Sequence, residues 1–301
     1  AYAQLLKEYN LGEAEENSLD STYYATAEMQ YAEGNFNDAT SLLGNYLQKY
    51  PNGVFVTKAH YYKAESHYNL KQYKPALEDY IAVLQGSWSN FSEKSARRAA
   101  SILYEQGDYT SAISYYNQLR NIAMNEESLQ QAYNGLMSAS YMQNDYANTA
   151  AYADTLLSLP QLEPNIKDNA LLYKARSLKT NGDMAGALAA FKQIENTQHP
   201  SVSAEARYSI AEIYFAQGQT ADAEKAANNT IQLSGGDERW VVKSYILLAD
   251  ILAAQEDYFN SKATLQSIVK NCKIPELKKE AESKLKEVKK LENKKSKLTE
   301  E

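Results

Sequence analysis

The stretch Gly34-Asn35-Phe36-Asn37-Asp38-Ala39 returns as Lys71-Gln72-Tyr73-Lys74-Pro75-Ala76 and again as Gly107-Asp108-Tyr109-Thr110-Ser111-Ala112. The shared phrase is a small or polar residue, one residue, an aromatic, two residues, then Ala. Looser copies run from Asn144-Asp145-Tyr146 to Thr149, Gly182-Asp183-Met184 to Ala187, Gly218-Gln219-Thr220 to Ala223 and Glu256-Asp257-Tyr258 to Ser261. Successive third positions of these seven copies stand 36 to 38 residues apart. A period of that length marks stacked supersecondary units, and missing it would misread the whole fold.

Counted from the third position of each phrase, a second small site recurs at −9: Ala27, Ala64, Ala100, Met137, Ala175, Ala211 and Ala249. Small side chains at −9 and +3 let two antiparallel helices approach closely. The flanking segments carry apolar residues at i, i+3, i+4 and i+7, the period of amphipathic helices, and nothing alternates with period two. Pro51, Pro160 and Pro164 fall in loops between repeats. Pro75, Pro200 and Pro275 suit the first turn of a helix, where the missing N–H costs nothing. The spacing predicts an all-α chain whose helix pairs turn near Gly34, Lys71, Gly107, Asn144, Gly182, Gly218 and Glu256. It divides into a lead-in (1–19), seven repeats (20–53, 54–91, 92–125, 126–162, 163–198, 199–236, 237–271) and a lysine-rich C-terminal helix and tail (272–301).

Composition narrows the function. Among 301 residues there are 25 Tyr against 6 Phe and 2 Trp, a bias that a repeated structural position filled by Tyr would explain. The formal net charge of −7 argues against a nucleic-acid partner. Cys272 is the single cysteine, so no intramolecular disulfide can form. No apolar run approaches the roughly 20 residues of a membrane-spanning helix. The chain starts Ala1-Tyr2-Ala3-Gln4, as a processed or trimmed terminus would.

Catalytic motifs are missing: there is no phosphate-binding glycine loop, no Cys-x-x-Cys, no His-Glu-x-x-His and no Gly-x-Ser-x-Gly. His60 and His67 lie two helical turns apart, about 10 Å, too far to share a metal without a third element. His199 has no partner nameable from sequence. No catalytic, cofactor or metal site is expected.

The phrase and its paired small positions resemble the tetratricopeptide repeat over roughly residues 20–271. Tyr50-Pro51-Asn52-Gly53-Val54-Phe55, followed by Ala59-His60-Tyr61-Tyr62-Lys63-Ala64-Glu65, is similar to Gram-negative envelope members that assist outer-membrane assembly or cell-division coordination. The resemblance implies a right-handed α-solenoid of about seven helix hairpins with a C-terminal capping helix. It also implies a non-catalytic protein-binding scaffold of the periplasm or cell envelope, with the full-length protein open to membrane anchoring. The chain departs from the family in lacking the early Trp, in closing a repeat with proline only at Pro51, and in holding Met137 and Thr149 at the small positions of repeat four. Leu5 to Gly12 read like Tyr46 to Gly53, so the chain is expected to begin inside a repeat. Its last helix carries an apolar seam at Leu277, Ala281, Leu285, Val288 and Leu291 under a lysine-rich outer face.

Positions −15, −12, −8 and −5 of the first helices share an arc of about 80°, which the resemblance places on the concave wall. Position −5 holds Tyr31, Tyr68, Tyr104, Tyr141, Lys179, Phe215 and Ala253; position −8 holds Glu28, Glu65, Ser101, Ser138, Arg176, Glu212 and Asp250; position −12 adds Tyr24, Tyr61 and Tyr208. The candidate groove is therefore Tyr24, Glu28, Tyr31, Tyr61, Glu65, Tyr68, Tyr104, Tyr141, Tyr208, Glu212 and Phe215. Its expected occupant is an extended or basic segment, or a helix, of another protein, met by rigid tyrosine faces that also accept cations. Position −5 lies only about 40° from the packed −9 site, so packing between helices is the competing reading. Carbohydrate binding by stacked tyrosines is the alternative function.

Overall fold

The computed structural model describes residues 11–234 and 236–298, with side chains from Asp20 to Lys295 within that span. Leu5 and Leu6, expected to form the edge of an interrupted repeat, lie outside the described residues. Fifteen α-helices and no strand occur among the described residues. The chain divides into two compact units, residues 1–144 and 145–301.

The first unit holds α1 (Leu11–Ala32), α2 (Phe36–Lys49), α3 (Val56–Asn69), α4 (Tyr73–Gln85), α5 (Ser92–Glu105), α6 (Tyr109–Ile122) and α7 (Glu126–Met142). The second begins with α8 (Tyr146–Ser158). It continues through α9 (Pro164–Thr180), α10 (Met184–Ile194), α11 (Pro200–Ala216), α12 (Thr220–Leu233), α13 (Glu238–Ala254), α14 (Tyr258–Asn271) and α15 (Pro275–Leu298). Within each unit consecutive helices pack as antiparallel neighbours. Pro164, expected in a loop, instead opens α9. The first helices α7, α9, α11 and α13 each run 17 residues.

Each position of the recurrent phrase has a physical cause. Its first residue ends a helix in the left-handed region: Gly34, Lys71, Gly107, Asn144, Gly182, Gly218 and Glu256 have φ between 59° and 86°. This is a Schellman closure, with Gly34 N–H donating to Tyr31 O at 3.0 Å and Asn35 N–H to Gln30 O at 2.9 Å. The second residue caps the next helix wherever it is Asp. Asp108, Asp145, Asp183 and Asp257 accept from the backbone N–H three residues on, at 2.9 to 3.1 Å. The final small residue faces the −9 site. Ala27, Ala39, Ala64, Ala76, Ala100 and Ala112 are fully buried, and so are Ala175, Ala187, Ala211, Ala223 and Ala249. Met137 and Thr149 are buried completely as well.

In the first unit α1 lies against α3 and α5 against α7; in the second α9 meets α11, α11 meets α13 and α13 meets α15. No approach of comparable extent joins the second helices of successive pairs, so within each unit the first helices take the inner side. The helix α15 closes the last hairpin through buried Leu277, Ala281 and Val288 with Leu285 beside them. Leu291 is 48% exposed, so the apolar seam ends one turn earlier than its sequence period suggests.

Candidate binding groove

The −12 tyrosines join one repeat to the next. Tyr24 stacks on Phe55 with ring centroids 4.5 Å apart, and Tyr61 on Phe91 at 4.4 Å. Tyr208 leans on Trp240 at 5.4 Å. Phe55, Phe91 and Trp240 all stand at −18 of the following repeat. Tyr24 and Tyr61 are buried. Burial, then the hydrogen bond to Glu28 at 2.9 Å, pushes the Tyr24 phenol far above its ordinary pKa. Burial likewise raises Tyr61 and Tyr208. Expected to meet a partner, Tyr24 and Tyr61 instead fill the seam between hairpins.

The acidic residues at −8 are also engaged within the chain. Glu65 is buried, accepts from the Tyr80 hydroxyl at 2.5 Å and Lys94 at 2.7 Å, and has Arg98 Nε at 3.6 Å. Burial opposes the charge on Lys94, but its bonds to Glu65 and Tyr61 outweigh this and raise its pKa. The Arg98 guanidinium lies 3.9 Å from the centroid of Tyr68. The expectation that Glu65 would attract a partner's cation therefore fails, because its charge is already compensated. In repeat five the signs reverse: Arg176 at −8 clasps Glu205 at −15 of the next repeat, at 2.5 and 2.6 Å. Glu212 pairs with Lys179. Glu28 is half-buried and forms no ion pair among the described residues.

The −5 tyrosines pack against the aromatic of their own turn. Tyr31 meets Phe36 at 5.9 Å, Tyr68 meets Tyr73 at 5.5 Å and Tyr104 meets Tyr109 at 5.3 Å. Tyr31, Tyr68, Tyr104 and Tyr141 are each half-buried, keeping part of the ring accessible. Phe215 is half-buried against the cluster of Ala223, Leu247 and Ile251.

The aromatic ladder stops in the third and fourth repeats. There the −12 residues are Arg97 and Asn134, and the −18 residue of repeat four is Ser128. With no stacked pair to fill the seam, a cavity of about 310 Å³ opens on the inner side between α5 and α7. Ser101, Tyr104, Asn134 and Ser138 line it, and Tyr116 of α6 forms part of its wall. Arg97 donates to Gln131 at 2.7 Å across its rim. A second cavity, of about 520 Å³, shares Ser101 and Glu105 and extends to Tyr68 and Tyr73. These two hollows bring together Tyr68 and Tyr104 from the sequence reading with Ser101 and Ser138. They add Asn134 and Glu105, which that reading passed over. The available signal was the joint loss of aromatics at −12 and −18. In the second unit a cavity of about 520 Å³ between α13 and α14 has mainly apolar walls, among them Val241, Val242, Tyr245 and Ile268.

The histidines have structural partners: His60 meets Asp79 at 2.8 Å, His67 meets Gln72 at 2.7 Å and His199 meets Asn165 at 2.8 Å. Among the described residues no three His, Cys, Asp or Glu side chains are placed to hold a metal ion. No helix among them is long and apolar enough to cross a membrane.

A hairpin array with small residues at −9 and +3, left-handed turns and an inner wall of first helices defines a helical repeat scaffold. Models of the tetratricopeptide repeat match residues 21–53, 97–122 and 172–238, and the chain is built of such repeats. It is similar to the outer membrane protein assembly factor BamD of Caulobacter vibrioides, with 24% identity over 231 residues, 75% of this chain and 70% of that protein. The C-terminal part of a tetratricopeptide-repeat protein from Cytophaga hutchinsonii has the same fold, with a TM-score of 0.61 and 15% identity, covering 84% of this chain and 98% of that one. YrrB, described as a tetratricopeptide-repeat protein with an unusual peptide-binding site, aligns with a TM-score of 0.51 and 14% identity over 66% of this chain and 95% of its own. Tetratricopeptide repeats bind other proteins or peptides and in general are scaffolds, not catalysts.

Proposed function

We propose that this chain is a non-catalytic scaffold of the bacterial cell envelope that holds an extended segment of another protein along the inner face of α3, α5 and α7. The observation that carries the reading is the interruption of the aromatic ladder at Arg97 and Asn134. Three other seams are closed by ring pairs, and Leu172 and Val202 belong to the aliphatic core where repeat six follows repeat five. Between α5 and α7 the seam is open, and the side chains of Asn134 and Ser138 have no hydrogen-bond partner among the described residues. An extended segment brings backbone N–H and C=O groups that need partners, and an amide side chain can both donate and accept. Half-buried Tyr68 and Tyr104 flank the opening as contact area already ordered by packing. The similarity to an outer-membrane assembly factor supports the envelope setting. No observation favours the carbohydrate alternative, and one face each of Tyr24, Tyr61 and Tyr68 is covered by Phe55, Phe91 and Arg98.

The test is site-specific photo-crosslinking in the native host. A photoreactive residue replacing Ser138 should capture a discrete protein, and the same residue at exposed Lys74 on α4 should not. Asn134→Ala should reduce the Ser138 adduct. Equal capture from both positions, or an adduct indifferent to Asn134→Ala, would remove the groove from consideration.

A further inference from the structure

We infer that the cavity bounded by Tyr68, Tyr73 and Glu105 receives a cationic side chain, the lysine or arginine of the segment held on this face; the inference rests on reading that face as a protein-binding groove. The repeat frame singles out the carboxylate. The −4 positions are Ala32, Asn69, Glu105, Met142, Thr180, Ala216 and Ala254, and Glu105 alone is charged. Helix packing at −4 therefore does not call for an acid. Nor does any internal contact hold it. Glu105 is exposed and enters no ion pair or hydrogen bond among the described residues, whereas nearby Glu65 and Glu93 are engaged by Lys94 and Ser128.

The remaining walls match the parts of a basic side chain. Tyr68 and Tyr73 stand edge to face at 69°, and Tyr73 is 44% exposed. Arg98 already covers one face of the Tyr68 ring, so Tyr73 is the exposed aromatic wall and Glu105 the only anion there without a partner among the described residues. Ile102 offers an aliphatic floor for a methylene stem, while Ser101 and Gln106 supply acceptors at the rim. An anion would be repelled by Glu105, and an apolar group would strip water from it without compensation. A cation gains the carboxylate and the exposed Tyr73 ring together.

The pocket is tested by titrating the intact chain, carrying ring-labelled tyrosine, with N-acetyl-arginine methylamide and with its uncharged analogue, N-acetyl-citrulline methylamide. The arginine compound should shift the Tyr68 and Tyr73 ring signals saturably, and the citrulline compound should bind far more weakly. Glu105→Gln should weaken the arginine compound about threefold to fivefold, the worth of an exposed ion pair. Glu105→Asp should retain most of the affinity and Asn134→Ala all of it. Equal binding of the citrulline compound, or no change in Glu105→Gln, overturns the inference. The Ser138 adduct reports on the groove and the tyrosine rings on the pocket, so either can fail alone.

Discussion

Tyr116 occupies the space that any side chain at position 135 would need: a Cβ on Gly135 would stand 2.3 Å from the Tyr116 ring. The ring is 8% exposed and forms part of the wall of the cavity between α5 and α7, so the close approach of α6 to α7 depends on the missing methyl group.

Two effects compete in Gly135→Ala. Removing a mid-helix glycine favours the helix by about 1 kcal/mol. Overpacking against a buried ring costs about 1–3 kcal/mol. At 2.3 Å the steric term wins, and the variant should be destabilised by about 1 kcal/mol or more in urea unfolding. A variant as stable as the parent would mean that the ring turns aside freely.

The turns separate strain from contact. A Cβ at Gly107 would have nothing within 4 Å, so Gly107→Ala changes only the backbone preference at φ 80°. It should cost about 1 kcal/mol, the penalty of a left-handed residue with a side chain. Lys71 already bears that strain at φ 59°. Lys71→Gly should accordingly raise the melting temperature slightly, and a fall would contradict the account of the phrase.

Glu65→Gln leaves Lys94 and Arg98 without their anion. Breaking a fully buried pair costs about 3–5 kcal/mol. Here the two cations keep 38% and 29% of their surface, so about 2 kcal/mol is expected from the shift in urea midpoint. A loss under about 0.5 kcal/mol, the scale of a surface pair, would show that Glu65 is not a structural anchor.

The aspartate caps give stability a pH dependence. The side chain and backbone of Ser111 hold Asp108 below the usual carboxyl range, and Asn260 does the same for Asp257. A pKa lowered by folding contributes stability above the unfolded value, near pH 4, and that contribution is lost as pH falls through the folded value. Asparagine caps about as well without titrating. The variant Asp108→Asn/Asp257→Asn should therefore match the parent closely at pH 7 and become the more stable of the two below pH 4, where the parent's caps are protonated. A difference constant with pH would rule out this linkage.

Much of this was legible in sequence because it is local. The left-handed turn at Gly34, the caps at Asp108 and Asp183, and the alanines at −9 and +3 all act within one hairpin. A period of 36 to 38 residues then displays them seven times. What one repeat does to the next was not legible in that way. Glu65 meets Lys94 29 residues on, and Tyr24 meets Phe55 31 residues on. Such pairs depend on the offset between neighbouring hairpins, which inter-repeat loops of varying length set, and a helical wheel shows which side chains share a face but not which of them are already taken. By itself the sequence determined the helix hairpins, their turns and the face of the first helices. Only the tertiary structure decided which side chains on that face are spent on packing and charge compensation, and where the aromatic ladder breaks to leave Ser138, Asn134 and Glu105 open, because burial and pairing are properties of the stacked array.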